Sequence, residues 1–265
     1  MEKTLTLAPE FKEAFEIEEV LSAFKGGQKT VFICRAKDGN AYAYKIFHEF
    51  SERERREVDL YQKYKDHPGI PVVIKLEDFK GSTVLIEEYI EGNSLSSLIP
   101  EGMYLGNAEL VADLVNELIG ILKTPWEEGL IHRDLKPDNI IIKPDGSPVI
   151  VDFGIARDSS SETITETGFQ PNSWRFAAPE QHFAKKDQIS YRTDFFSIGS
   201  MAYFLYYGTL PFGDTPEDVR LSMSKQDYVP GFTDDSKIKN FCSQACKINP
   251  SERPRNVELL MLNLK

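Results

Sequence analysis

The chain has 265 residues, 41% hydrophobic and 28% charged, with a mean hydropathy of -0.36. This is ample for a buried core, and no apolar run approaches the ~20 residues of a membrane span. A net charge of -11 opposes nonspecific attraction to nucleic acid or anionic lipid, so an anionic ligand requires a local cationic pocket. The N-terminus lacks the basic start and apolar core of a secretory signal. The odd set Cys34, Cys242 and Cys246 cannot close a disulfide framework. Together, the charge, the lack of a long apolar run, the N-terminus and the cysteines predict a cytoplasmic chain without membrane or nucleic-acid partners. Cys242 and Cys246 lie four apart, as on one helix face, and read as core rather than as a zinc site.

In chain order, FEIEEVLSAF, TVFICRA, AYAYKIF and STVLIEEYI are rich in β-branched and aromatic residues and predict strands. Gly26-Gly27 and Asp38-Gly39 mark the turns between the first three. Ser51 and Glu54 form an S-x-x-E capping box, followed by Val58, Tyr61 and Tyr64 at helical spacing. Beyond Gly92, helical periodicity dominates in ELVADLVNELIGIL, TDFFSIGSMAYFLYY, PEDVRLSM and KIKNFCSQACK. The boundary near Glu91 to Asn93 predicts an α+β chain with a small β-rich lobe over 1–91, carrying one main helix, and a larger helical lobe over 92–265.

The segment HRDLKPDNIIIKPDGSPVIVDFG, residues 132–154, is the most informative. Ile140–Ile142 and Val149–Val151 read as strands joined at an Asp145-Gly146 turn, which places Asn139 opposite Asp152. An amide oxygen and a carboxylate side by side suit Mg²⁺, completed by water and phosphate. Asp134 lies just upstream and can accept a hydroxyl proton, and Lys136 can neutralise a transferring phosphoryl group. The Asp38-Gly39 hairpin brings Lys45 near Phe32, beneath the Gly26-Gly27 turn, where it can meet phosphate oxygens. Either Glu54 or Glu57 can pair with Lys45.

HRDLKPDN, DFG and AAPE together resemble the eukaryotic-like protein kinase family, in its bacterial serine/threonine type, from about Phe15 to the C-terminus. The resemblance implies a bilobal kinase fold that uses ATP and Mg²⁺ on a protein substrate. It makes Asp134 the base, Lys136 a γ-phosphate contact, and Asn139 and Asp152 the metal ligands. Gly26, Gly27, Val31 and Lys45 would contact the nucleotide, with Glu57 the better helix partner for Lys45, and backbone groups from Glu88 to Ile90 would hold adenine. Glu180 should pair with Arg253, and Asp194 should brace the catalytic loop.

Three features depart from the family pattern. Val31 aligns with the valine after the glycine loop, which leaves Gly26 in register and puts Phe24 and Lys29 where other glycines stand. Ser173 takes the place of a threonine before AAPE. Glu87 occupies a position behind adenine that is normally apolar or threonine; either the pocket is polar and shallow there, or a strand irregularity turns the carboxylate away. Other readings are a pseudokinase that binds nucleotide or a partner, a small-molecule kinase, and an AMP transferase. The hydroxyl-rich stretch from 159 to 173, with Arg133 before the base, predicts autophosphorylation at Thr163, Thr165 or Thr167 through transient self-association.

Overall fold

A computed structural model describes residues 5–25, 29–153, 173–234 and 236–264, the side chain of Arg53 excepted. The chain divides into two compact units, Met1–Glu91 and Gly92–Lys265.

The first unit is built on a five-stranded antiparallel sheet in the order β1-β2-β3-β5-β4: Ile17–Lys25, Lys29–Ala36, Ala41–Phe47, Ser82–Glu88 and Val73–Phe79. Alternation gives the sheet two chemically distinct faces. Phe32, Cys34, Tyr44, Val84 and Ile86 share one face with Phe11 of the short helix α1, Pro9–Ala14. On the other face Phe47 and Leu85 pack with Val58 of α2, Glu52–Lys63. Val58 and Tyr61 of α2, and Tyr64 in the turn just past its end, are buried, as their spacing predicts. Ser51 closes the N-terminus, its N–H and hydroxyl donating to Glu54 Oε2 at 2.8 and 2.6 Å.

Helix α1 and strand β4 are additions to the sequence reading. Helix α1 has only 6 residues and no side-chain cap, so it leaves no periodic signal. Strand β4 is an edge strand, with Lys75 and Glu77 paired at its surface, and charge of this kind blunts both strand character and edge-to-edge association.

In the second unit, β6 (Asn93–Ser94), β7 (Ile140–Ile142) and β8 (Pro148–Ile150) form a three-stranded sheet. The helices are α3 (Leu95–Leu98), α4 (Ala108–Glu127), α5 (Pro179–His182), α6 (Tyr191–Tyr207), α7 (Pro216–Ser224), α8 (Lys237–Ala245) and α9 (Val257–Met261). Helix α6 is buried continuously from Thr193 to Tyr203, apolar almost all round, as a helix at the centre of a unit must be. Cys242 Sγ lies 3.3 Å from the Gly199 carbonyl, and all three cysteines are buried and unbridged. Among the described residues, no helix is long and apolar enough to cross a membrane.

Both hairpins differ from the expected register by one residue, for the same reason. A two-residue turn at Asp145-Gly146 would set Asn139 against Asp152. Instead Ile140 pairs with Ile150 and Ile142 with Pro148, and the Val151 N–H donates to Asn139 O at 2.9 Å. The loop is Pro144-Asp145-Gly146, closed by the bond from Lys143 N to Ser147 O, with Gly146 at φ 87°. The Lys37-Asp38-Gly39 loop repeats this arrangement with Gly39 at φ 86°, so Lys45 stands opposite Val31 rather than Phe32. Three-residue loops that end in a left-handed glycine shift the pairing by one relative to two-residue turns.

Candidate active site

The site in the second unit is anchored by α6. Asp194, in its first turn, is fully buried and accepts bonds from Trp126 Nε1 (2.8 Å), His132 N (2.8 Å) and Arg133 N (2.9 Å). It therefore braces the backbone of the loop that leads to Asp134, as expected. Burial pushes its carboxyl up to about 6 against the pull of these donors. Arg133 is left-handed at φ 65°, and its carbonyl accepts from Gln181 Nε2 at 2.7 Å. The turn in backbone direction sends the chain on to Asp134.

Around Asp134 the polar side chains converge. Lys136 Nζ lies 3.2 Å from Asp134 Oδ2 and donates to Ser173 Oγ at 2.8 Å. Asn139 Nδ2 donates to Asp134 O at 2.8 Å and to Asp134 Oδ2 at 3.3 Å. Lys136, Asn139 and Ser173 are all buried.

Asp152 follows β8 with a left-handed φ of 57°. Its charge and that of Asp134 both act on buried His132, whose ring centroid lies 4.7 Å from that of Phe153. Burial outweighs both carboxylates and pushes His132 down to about 4. Asn139 Nδ2 is committed to Asp134, while its Oδ1 and the Asp152 carboxylate are hard oxygen donors of the kind Mg²⁺ takes. Among the described residues no group of three His, Cys, Asp or Glu forms a protein-only cage. An amide oxygen and a carboxylate are donors whose chemistry fits Mg²⁺ completed by phosphate and water.

Glu180 and Arg253 form a buried bidentate pair, at 2.7 and 2.8 Å, with Thr193 Oγ1 adding a bond to Glu180 at 2.7 Å. Their expected pairing is present.

In the first unit, Lys45 is 5% exposed and lies opposite Val31 on the Leu85 face. Its Nζ is 2.8 Å from Glu87 Oε2 and 5.6 Å from the centroid of the Tyr61 ring. Tyr61 Oη in turn donates to Glu57 Oε1 at 3.2 Å, so Glu57 and Lys45 flank the same ring. The carboxylate of Glu87 is not turned away. A register irregularity does occur beside it, between Val73 and Lys75 of β4, yet Glu87 stays on the Lys45 face. Glu88 is clamped by Val72 through two bonds, and Ile90 lies just past β5. Gly26, Gly27 and the stretch holding Thr163, Thr165 and Thr167 lie outside the described residues.

Sequence reasoning missed three contributors. Trp126 looks like one more apolar residue of α4, and Gln181 carries no mark beyond standing after AAPE. Nothing in the sequence pattern links Glu87 with Lys45 ahead of the two candidate glutamates on α2.

Residues 24–263 match the protein kinase domain family. The chain belongs to the protein kinase family. This kinase domain is 29% identical over 224 residues to a probable serine/threonine-protein kinase of Clostridium perfringens, covering 82% of this chain and 32% of that protein. It is 29% identical over 156 residues to the probable serine/threonine-protein kinase PknB of Lactococcus lactis, covering 58% and 24%. Sperm motility kinase 2B of Mus musculus is also 29% identical, over 202 residues, covering 74% and 40%. The chain thus spans between 24% and 32% of the length of the first curated relatives it matches.

Proposed function

We propose that this kinase domain transfers the γ-phosphate of ATP to serine or threonine hydroxyls of a protein substrate. The observation that carries the reading is the buried cluster of Lys136, Asn139 and Ser173 around Asp134. Asp134 takes the proton of the incoming hydroxyl as its oxygen attacks the γ-phosphorus. The bond from that phosphorus to the β–γ bridging oxygen breaks, and ADP leaves with that oxygen. Lys136, placed between Asp134 and Ser173, offsets charge on the moving phosphoryl group and ties the base to the segment before AAPE. Lys45 holds the α and β phosphates, Val31, Glu57, Gly26 and Gly27 are the further nucleotide-binding residues, and backbone groups from Glu88 to Ile90 hold adenine. When bound by Asn139 and Asp152, Mg²⁺ supplies charge neutralisation and orientation of the phosphates.

Three buried, unbridged thiols support a reducing, cytoplasmic setting. The hydroxyl-rich stretch before AAPE supports autophosphorylation between two copies. Incubation with ATP and Mg²⁺, followed by intact-mass and phosphopeptide analysis, tests the reading: added phosphate supports it, while added AMP or an unchanged mass on an added protein substrate and on the chain itself refutes it.

A further inference from the structure

We infer that Glu87 is a positioning residue for Lys45, holding the phosphate-binding lysine from within the sheet. The inference rests on the kinase reading above, in which Lys45 meets the nucleotide. Cross-strand pairs set Lys45 against Leu85 and Ala43 against Glu87, so Lys45 and Glu87 are diagonal neighbours on one face of adjacent strands. Their ion pair measures 2.8 Å, with side chains 7% and 3% exposed. The other carboxylate oxygen, Oε1, is buried with no hydrogen-bond partner among the described residues.

In a buried ion pair of this kind each partner is costly without the other. Both residues ride on the same hydrogen-bonded ladder, β3 against β5, so their spacing does not depend on where α2 sits. In protein kinases generally the lysine is held by a glutamate of the helix, and helix position therefore controls activity. Here Glu57 keeps its place beside Tyr61, but the sheet supplies a second anchor. The lysine is thus placed before any movement of the helix.

Two measurements test this on the full chain. In urea unfolding, Lys45→Met should lower the midpoint more than the double variant Lys45→Met, Glu87→Met, because the second change removes the stranded carboxylate. In phosphate transfer, Glu87→Gln should raise KM for ATP about tenfold, the worth of one charge-assisted hydrogen bond, with a smaller change in kcat. Glu57→Ala should raise it less. A Glu87→Gln protein with wild-type KM for ATP overturns the inference, as does a double variant no more stable than Lys45→Met alone. A wild-type protein that transfers no phosphate overturns the kinase reading and the positioning role with it, while the urea cycle still reports the ion pair by itself.

Discussion

Lys136 donates to Ser173 at 2.8 Å, joining the loop that carries Asp134 to the segment that precedes AAPE. Both residues are buried, so the bond is made away from competing water. Ser173→Ala would leave a buried ammonium group short of an acceptor, at a cost of roughly 1–3 kcal/mol. Phosphate transfer by Ser173→Ala should fall about tenfold or more, and Ser173→Thr should retain activity. Steady-state kinetics on an added protein substrate checks both.

The Glu180–Arg253 pair predicts a stability effect separable from chemistry. Arg253 donates to both carboxylate oxygens, to Lys247 O and to Arg192 O, and both charged side chains are fully buried. Arg253→Met strands the Glu180 carboxylate, and breaking a buried pair from one side costs about 3–5 kcal/mol. Thermal unfolding should show a fall of many degrees that saturating ATP does not restore to the wild-type midpoint.

His132 predicts a pH dependence. The folded protein holds it neutral down to about 4, whereas the unfolded chain charges it near its ordinary value of 6.5. The unfolded state therefore binds more protons between these values. Stability from this residue is fully present above pH 6.5 and is lost as pH falls towards 4, by up to about 3 kcal/mol. Asp194, with its carboxyl pushed up to about 6, acts in the opposite sense over part of the same window. In urea unfolding at pH 7 and pH 4.5, His132→Phe should lose less stability between the two than the wild type.

Trp126 places an indole N–H on Asp194, and an indole can only donate. Trp126→Phe keeps most of the ring packing against Phe195 but removes that donor. Stability should fall by about 1.5–3 kcal/mol, the range for a lost bond to a charged group. Phosphate transfer should fall as well, since Asp194 also holds the backbone of His132 and Arg133. Unfolding and kinetic measurements on the same preparation check both effects.

How far the fold could be read beforehand follows from the physics of each signal. Strong periodicity made α2, α4 and α6 legible, and HRDLKPDN, DFG and AAPE made the site legible as a family pattern. Hairpin register was not legible to the residue, because Asp-Gly fits both a two-residue turn and the last two places of a three-residue loop. The difference lies in whether Pro144 and Lys37 belong to strand or loop. Nor was Glu87 legible as a partner of Lys45. Sequence spacing favours a helix glutamate, and only the pairing of β3 with β5 brings Glu87 within 2.8 Å. Long-range partners such as Trp126 and Asp194 lie beyond any local pattern.

The central claim is phosphate transfer with Asp134 as the base. The most direct measurement is phosphate incorporated into an added protein substrate, with ATP and Mg²⁺, by the wild type and by Asp134→Asn at equal concentration, alongside nucleotide binding by each. The account predicts transfer by the wild type, a fall of about 10²–10⁴-fold in Asp134→Asn, and nearly unchanged ATP affinity. Transfer by Asp134→Asn at the wild-type rate would contradict it.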